Sequence, residues 1–304
     1  MDKKEIKFFD KNIHRKASIV KNSLKFIENT EIPLPSVIEI SDSGTCNRSC
    51  SFCPRSDPDW ITEFDKKQFI TTELHEKICK QLGELSYSGM IIYSGFNEPL
   101  LNKDCYKNIK RTREFVPNSK IELITNGDVL NESRLKKLFK SGLDTILISA
   151  YDSKESAEEL RELCLKCELK EKEQFIVRHR YLPEQQDFGI TMSNRAGYLK
   201  NTEYKIEELK IPAKRPCYYP GYYFFIDYNG DVLMCSHDWG KKNILGDLNK
   251  SSLKDIWMSK NSQDAREKLF SGLRTFQPCN KCDVSGNLIG EKHFDQWVKY
   301  YGKK

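Results

Sequence analysis

The sequence predicts an α/β protein: a partial barrel of six strand–helix units, followed by a smaller α+β unit built around a β-hairpin. Three observations predict it. From residue 36 to about 200, short apolar runs alternate with segments of helical spacing, as in βαβ units around a parallel sheet. Six such units suit an open, (β/α)6 TIM-like barrel rather than a closed one of eight. Near Lys205 the character changes, and YYFFIDYNGDVLMCS sets two alternating apolar segments around Asn229-Gly230, a strong hairpin signal.

The elements follow in order. Ser36 to Ser41 (SVIEIS) reads as the first strand, and the next helix carries Leu74, Ile78, Leu82 and Leu85 on one face. GMIIYSG is the second strand, followed by a helix through Tyr106, Ile109 and Phe115. IELITNG is the third, and Asn131 is placed to cap the helix carrying Leu135 and Leu138. DTILISAY is the fourth strand, Lys154–Lys170 a charged helix, QFIVRHRYL the fifth strand and GITMSNRAG the sixth. After the hairpin come a helix with Leu253, Ile256 and Trp257, a loop with Cys279 and Cys282, and a C-terminal helical tail. The chain divides into an N-terminal arm (1–35), the barrel (36–204) and the smaller unit (205–304), with no internal repeat or low-complexity linker.

Of 304 residues, 38% are hydrophobic and 31% charged, enough for a substantial buried core. No apolar run approaches the length of a membrane span. The opening MDKKEIKFFDKNIHRK has no apolar stretch of a secretory signal, so a cytoplasmic location is expected. The net charge of +6 suits an ordinary solvated surface or a phosphorylated or nucleotide-linked substrate, and favours nucleic acid only weakly, so no nucleic-acid partner is expected. Lys110, Arg111 and Arg113 form the densest basic run, on a face read as exposed helix of little functional weight. Eleven cysteines without a secretory signal are the anomaly, because clustered thiols in a reducing compartment more often bind metal than form disulfides.

The first cluster is Cys46-Asn-Arg-Ser-Cys50-Ser-Phe-Cys53, just after the first strand. Three thiolates so close can wrap a soft metal centre. A cubane iron–sulfur cluster usually takes four cysteines, so three local ligands would leave one iron open to an exogenous ligand unless a side chain distant in sequence supplies the fourth. Zinc would want a fourth ligand, and neither His nor Cys stands nearby. The spacing C-x3-C-x-aromatic-C, with Phe52 as the aromatic, resembles the signature of the radical S-adenosylmethionine (SAM) superfamily, and the resemblance runs from residue 36 to about 200.

That resemblance implies a 4Fe-4S cluster whose open iron binds SAM, reductive cleavage of SAM, and a 5′-deoxyadenosyl radical. It implies that Phe52 lies beside the adenine. Ser94-Gly95-Phe96-Asn97-Glu98-Pro99 stands where the family has Gly-Gly-Glu-Pro, with Phe96 in place of the second glycine and Glu98 placed to hold the SAM ammonium. Thr125-Asn126-Gly127 matches the family's T-N-G turn, Ser149 the serine that meets the ribose, and Arg178 a residue facing the SAM carboxylate. Each also has a structural reading, Asn126-Gly127 as a plain turn and Arg178 as a surface ion pair. Their ordered placement at successive strand ends raises them together.

Cys217, Cys235, Cys279 and Cys282 form the second group, and spacing does not separate four-cysteine zinc from a fully ligated cubane. The series Cys217, Asp227-Tyr-Asn-Gly-Asp-Val, Cys235, Leu245-Gly246-Asp247, Ile256-Trp257, Cys279-x2-Cys282 resembles the shortened SPASM, or twitch, domain. That resemblance implies one auxiliary 4Fe-4S cluster, hence two clusters in all, and tips the reading to iron. Cys164 and Cys167 sit in a charged helical run, and Cys79 and Cys105 read as buried small hydrophobes.

The single auxiliary cluster, with Ser193-Asn194-Arg195-Ala196-Gly197, resembles the members of that subgroup that oxidise aminocyclitols or modify sugars. The resemblance implies a small polar substrate, a sugar, cyclitol or nucleotide-linked sugar, whose secondary alcohol is oxidised with the auxiliary cluster as electron acceptor. It also implies an external electron donor such as flavodoxin or ferredoxin. Arg195 is the candidate catalytic residue, holding a hydroxyl or assisting its deprotonation; its structural alternative is to cap the loop into the second unit. Epimerisation with a spare cysteine as hydrogen donor, peptide maturation, and a structural zinc protein are the competing readings.

Overall fold

The computed structural model describes residues 11–181, 193–200 and 206–303. Its centre is one sheet in the order β5-β4-β3-β2-β1-β6-β7-β8. The parallel half comprises β1 (Val37–Ser41), β2 (Met90–Tyr93), β3 (Lys120–Thr125), β4 (Thr145–Ala150) and β5 (Phe175–His179). Helices α3 (Thr72–Glu84), α4 (Cys105–Phe115), α5 (Glu132–Lys140) and α6 (Lys154–Lys166) connect these strands, and a short α2 (Pro58–Phe64) follows the cysteine loop. The expected caps are in place. Thr71 Oγ1 accepts from the Leu74 amide and Asn131 Oδ1 from that of Arg134, while Ser153 and Ser156 cap each other reciprocally.

The strands are nearly continuous apolar runs because both faces are covered. On the outer face Ile38, Ile40, Ile91, Ile121 and Ile146 pack with Leu74, Ile78, Ile109 and Leu135 of the helices. On the inner face Val37, Met90 and Ile92 meet Val20, Trp60, Phe96, Phe225 and Trp239. Val20 belongs to α1 (Lys11–Asn22), a helix inside what the sequence presents as a basic arm.

The hairpin strands β6 (Tyr223–Asp227) and β7 (Asp231–Leu233) do not form a sheet of their own. Strand β6 pairs in parallel with β1, Tyr223 opposite Val37, and β7 and β8 (Ile244–Asp247) continue outward antiparallel. An apolar β1 edge would otherwise lack partners, and the wholly buried YFFID reads like the parallel strands it joins. The expected sixth strand at 189–197 lies partly outside the described residues. Its described end is a tight turn, with φ of 46° at Arg195, 55° at Ala196 and 92° at Gly197, values no strand adopts. The basic run is consumed by structure: Arg113 pairs with Asp144 at 2.6 Å, Lys110 with Glu114 at 3.8 Å, and Arg111 reaches His75.

The remaining helices are α7 (Tyr219–Tyr222), α8 (Leu253–Trp257), α9 (Lys260–Phe270) and α10 (Glu291–Gly302). Arg266 of α9 is buried between the rings of Trp257 and Trp297, 4.1 and 3.9 Å from their centroids, and ties these helices together. No helix among the described residues is long and apolar enough to cross a membrane.

Candidate active site

The carboxyl ends of β1 to β5 open on a cavity of about 560 Å³. Cys46, Phe52, Ser94, Gly95, Glu98, Asn126, Ser149, Arg178 and Arg195, all expected at the site, line it together with Cys50 and Cys53. The cysteine loop is held by charges the motif does not announce. Arg48 donates to Asp128 and to Asp152, each at 2.7 Å, and Asn47 donates to Asp128 at 2.7 Å. Buried Arg55 donates to the Phe96 carbonyl at 2.8 Å and to Asp65 at 2.6 Å. Arg48 and Arg55 were legible only as cations beside the cysteines; their partners come from other loops.

Burial pushes all three thiols up, Cys50 to about 12 with its neighbours Cys53 and Cys46 adding to the effect. Such sulfurs ionise when a cationic metal centre compensates them, which is the chemistry a cluster supplies.

Glu98 is buried and accepts three hydrogen bonds: from the Thr125 hydroxyl at 2.6 Å, the Asn126 amide at 2.7 Å and the Leu100 amide at 3.1 Å. It therefore locks the T-N-G turn to its own loop, and one of a carboxylate's four acceptor positions remains for a ligand. Burial raises its pKa. The Phe96 departure has a plain cause. Its ring turns away from the turn and packs on Phe225 at 4.7 Å and Trp239 at 4.6 Å, tying the loop to the hairpin. Gly95 keeps the needed backbone: φ is +122°, and a Cβ there would meet Ser41 at 2.8 Å. Asn126 donates to Asn47 at 2.8 Å, so its turn also holds the cysteine loop. Ser149 accepts from Arg178 at 2.6 Å, and Phe52 stacks on Tyr151 at 5.3 Å.

The second cysteine group gathers behind the cavity wall. Cys217 precedes α7, Cys235 follows β7, and Cys279 and Cys282 flank a single tight turn. They are close enough that Cys279, Cys282 and Cys217 all raise the Cys235 thiol, whose largest cause is burial; burial likewise lifts Cys282 to about 11. Gly286 packs on the sulfur of Cys217, where a Cβ would lie at 2.2 Å. A zinc site would bring its ligands onto one ion. Four thiols gathered in this way are the donor chemistry that either a zinc ion or a fully ligated iron–sulfur cluster takes.

Arg195 stands between the two sulfur groups, facing Cys53, His237 and Asp283, and its buried Nε has no hydrogen-bond partner. The role of loop cap belongs to its neighbour. Fully buried Asn194 donates to the Lys281 carbonyl at 2.6 Å and the Glu207 carbonyl at 3.1 Å, and its amide donates to Asp283 at 3.0 Å. His237, which the sequence reading passed over, also lines the cavity, held down to about 3 by burial and by Arg195. Cys79, Cys105 and Cys164 are buried in the outer core, and none of these three or Cys167 lines the cavity.

A model of the radical SAM superfamily matches residues 40–172, and one of the SPASM iron–sulfur cluster-binding domain matches 217–283. The chain is a radical SAM enzyme. It is similar, at 26% identity over 249 residues, to the S-adenosyl-L-methionine-dependent 2-deoxy-scyllo-inosamine dehydrogenase of Niallia circulans, covering 82% of this chain and 92% of that one. Among solved structures, BtrN in complex with AdoMet and 2-DOIA superposes with a TM-score of 0.70 at 25% identity, over 85% of this chain and 98% of that one. The enzyme shares its fold with anSMEcpe with bound AdoMet too, at a TM-score of 0.54 and 14% identity, over 89% and 94% of the chains. SAM and iron–sulfur chemistry thus belong to this fold.

Proposed function

We propose that the enzyme oxidises a secondary alcohol on a small polyhydroxylated ring, a cyclitol or sugar, free or nucleotide-linked, using two 4Fe-4S clusters. Cys46, Cys50 and Cys53 would hold the first, and Cys217, Cys235, Cys279 and Cys282 the second. The observation that carries this reading is one cavity lined by the three-cysteine loop, by Arg195, and by Ser236 and Asp283, the sequence neighbours of Cys235 and Cys282. The dehydrogenase relative supports the reaction class.

Bound there, the first cluster and SAM would supply the 5′-deoxyadenosyl radical to which the carbinol hydrogen atom passes, and the second cluster would supply an acceptor for the electron left on the substrate, with the hydroxyl proton passing to solvent. An external one-electron carrier such as flavodoxin or ferredoxin would supply the electron for each SAM cleavage and take up the one left on the second cluster, so that the cycle is redox-neutral. The protein's own part is placement. Glu98 offers its last acceptor position to the SAM ammonium, Phe52 and Tyr151 offer a ring face to the adenine, and Asn126, Ser149 and Arg178 bound the rest of that end with Ser94 and Gly95. The Arg195 guanidinium would donate to the substrate hydroxyl and stabilise oxygen charge as the proton leaves. Epimerisation needs a hydrogen donor facing the substrate, and no spare cysteine lines the cavity. Reduced thiols in this number suit a cytoplasmic location.

Anaerobic reconstitution should load about eight irons, two cubanes of four. With substrate deuterated at the carbinol carbon, deuterium should appear in 5′-deoxyadenosine. A Cys279→Ala, Cys282→Ala variant that still loads the first cluster should make 5′-deoxyadenosine but little carbonyl product. A product of unchanged mass carrying one solvent hydrogen would identify an epimerase instead.

A further inference from the structure

A buried arginine needs its charge answered, because a cation taken out of water with neither an anion nor an aromatic face beside it is destabilising. Two buried arginines of this chain are answered in those ways. Arg55 has Asp65 at 2.6 Å, and Arg266 lies between the faces of Trp257 and Trp297. Arg274, in the loop after α9, is only 2% exposed and has neither. Its three guanidinium nitrogens all donate to backbone carbonyls: Nε to that of Arg215 at 3.1 Å, Nη2 to Pro216 at 3.2 Å and Nη1 to Val284 at 2.8 Å. Among the described residues it makes no ion pair and no ring contact.

Those carbonyls belong to the second cysteine group. Pro216 precedes Cys217, and Val284 follows Cys282 by two residues. One guanidinium therefore joins two of the segments that supply sulfurs, and Gly286 of the same stretch packs on the Cys217 sulfur. The lysine of the Cys279–Cys282 knuckle is engaged elsewhere, since Lys281 pairs with Glu208 at 2.7 Å. Burial raises the Cys217, Cys279 and Cys282 thiols, and Arg274 acts against burial on all three. What Arg274 lacks is an anion. Thiolates around a metal centre supply one, and a cubane held by four of them is negatively charged and becomes more so on reduction.

We propose that Arg274 is the counter-charge of the second cluster, fixed against the backbone of its cysteine segments so that the reduction potential lies higher than four thiolates alone would set it. This rests on the second four-cysteine cluster of the proposed function. A cation in a dry site stabilises the more negative, reduced form more than the oxidised one. Uptake of the electron left on the substrate is thereby eased. A scaffold of three hydrogen bonds would hold the same loops without this effect, and the potential separates the two roles.

The test is a reductive titration of the reconstituted holoenzyme followed by electron paramagnetic resonance, in which the signal of the first cluster is the one that changes on adding SAM. Arg274→Gln, which keeps donors and loses the charge, should make reduction of the second cluster about tenfold less favourable, a midpoint about 59 mV more negative. Arg274→Lys, which keeps the charge and loses the three-point hydrogen bonding, should stay closer to the parent. A midpoint unmoved by Gln, or moved equally by Gln and Lys, overturns the proposal. Where the Gln variant does not load the second cluster, loading decides. A Lys variant that loads it supports the counter-charge, and failure of both variants leaves Arg274 a scaffold and overturns the proposal. Failure of the two-cluster reading looks different: the parent itself would hold stoichiometric zinc with about four irons and show no second iron signal. If the potential shifts as expected but no carbonyl product forms, the alcohol-oxidation reading alone fails.

Discussion

The two cysteine groups are built in opposite ways. The first occupies one loop, 46–53, half-buried in the cavity wall and held by side chains such as Arg48 and Arg55 that reach neighbouring strand ends. The second draws its sulfurs from three separate places, held by side chains that reach backbone carbonyls, such as Arg274 on the Pro216 carbonyl at 3.2 Å and the Val284 carbonyl at 2.8 Å, and by backbone bonds such as the Cys217 amide on the Leu269 carbonyl at 2.9 Å. A loop motif can be read from spacing, and under the proposed function its three thiols would leave one iron open for SAM. A dispersed group exists only once the hairpin has joined the sheet, so under the proposed function its metal and its fold would be coupled. Losing the first group should cost chemistry; losing the second should cost structure as well.

The harshest test of that contrast removes each group in turn. Cys46, Cys50 and Cys53 changed together to alanine should abolish 5′-deoxyadenosine formation while leaving the melting temperature and the spectrum of the second cluster near those of the parent. Chelation of the second cluster should instead lower the melting temperature. SAM cleavage by the triple variant under strong reductant would overturn the assignment of the first group.

Glu98→Ala probes the first region more gently. A charge-assisted hydrogen bond to a buried cation contributes about 1.5–3 kcal/mol, so SAM should bind about ten- to a hundredfold more weakly. The same change frees the Thr125 hydroxyl and the Asn126 amide, so the turn that steadies Asn47 should loosen too. Calorimetry that finds SAM affinity intact would hand the ammonium to backbone carbonyls.

What could be read from the sequence divides along the same line. The cysteine loop, five parallel strands, Asn131 as a cap and the Asn229-Gly230 turn all rest on neighbours within a few residues, where propensity and spacing speak directly. The pairing of β6 with β1 joins residues far apart, and nothing local in YFFID names its partner. Helix α1 was hidden because its apolar Ile19 and Val20 are set among lysines that read as a solvated arm. Arg195 was found through a resemblance, but the residue that fixes it, Asn194, carried no signal of its own. Its importance lies in bonds to Lys281 and Asp283, which only the fold brings near.

Asn194 is also where the two regions can be uncoupled with least damage. Its side chain donates to two carbonyls, Lys281 and Glu207, and accepts from the Asp283 amide at 3.3 Å, all on a residue with no exposed surface. Alanine would strand those buried groups at a cost of about 1–3 kcal/mol, much less than losing a cluster. The turn at Arg195 to Gly197, with three successive positive φ values, would lose the tie that holds it against the knuckle of Cys279 and Cys282. The SAM end of the cavity shares none of these bonds. Asn194→Ala should therefore keep SAM affinity and the first cluster, lower the melting temperature by a few degrees, and release less carbonyl product per 5′-deoxyadenosine formed. Asn194→Asp, which keeps the acceptor but sets a carboxylate oxygen against the Lys281 and Glu207 carbonyls in a buried site, should cost more than alanine. Equal losses in 5′-deoxyadenosine and carbonyl would mean that the turn supports the whole barrel mouth, and that the two regions work as one.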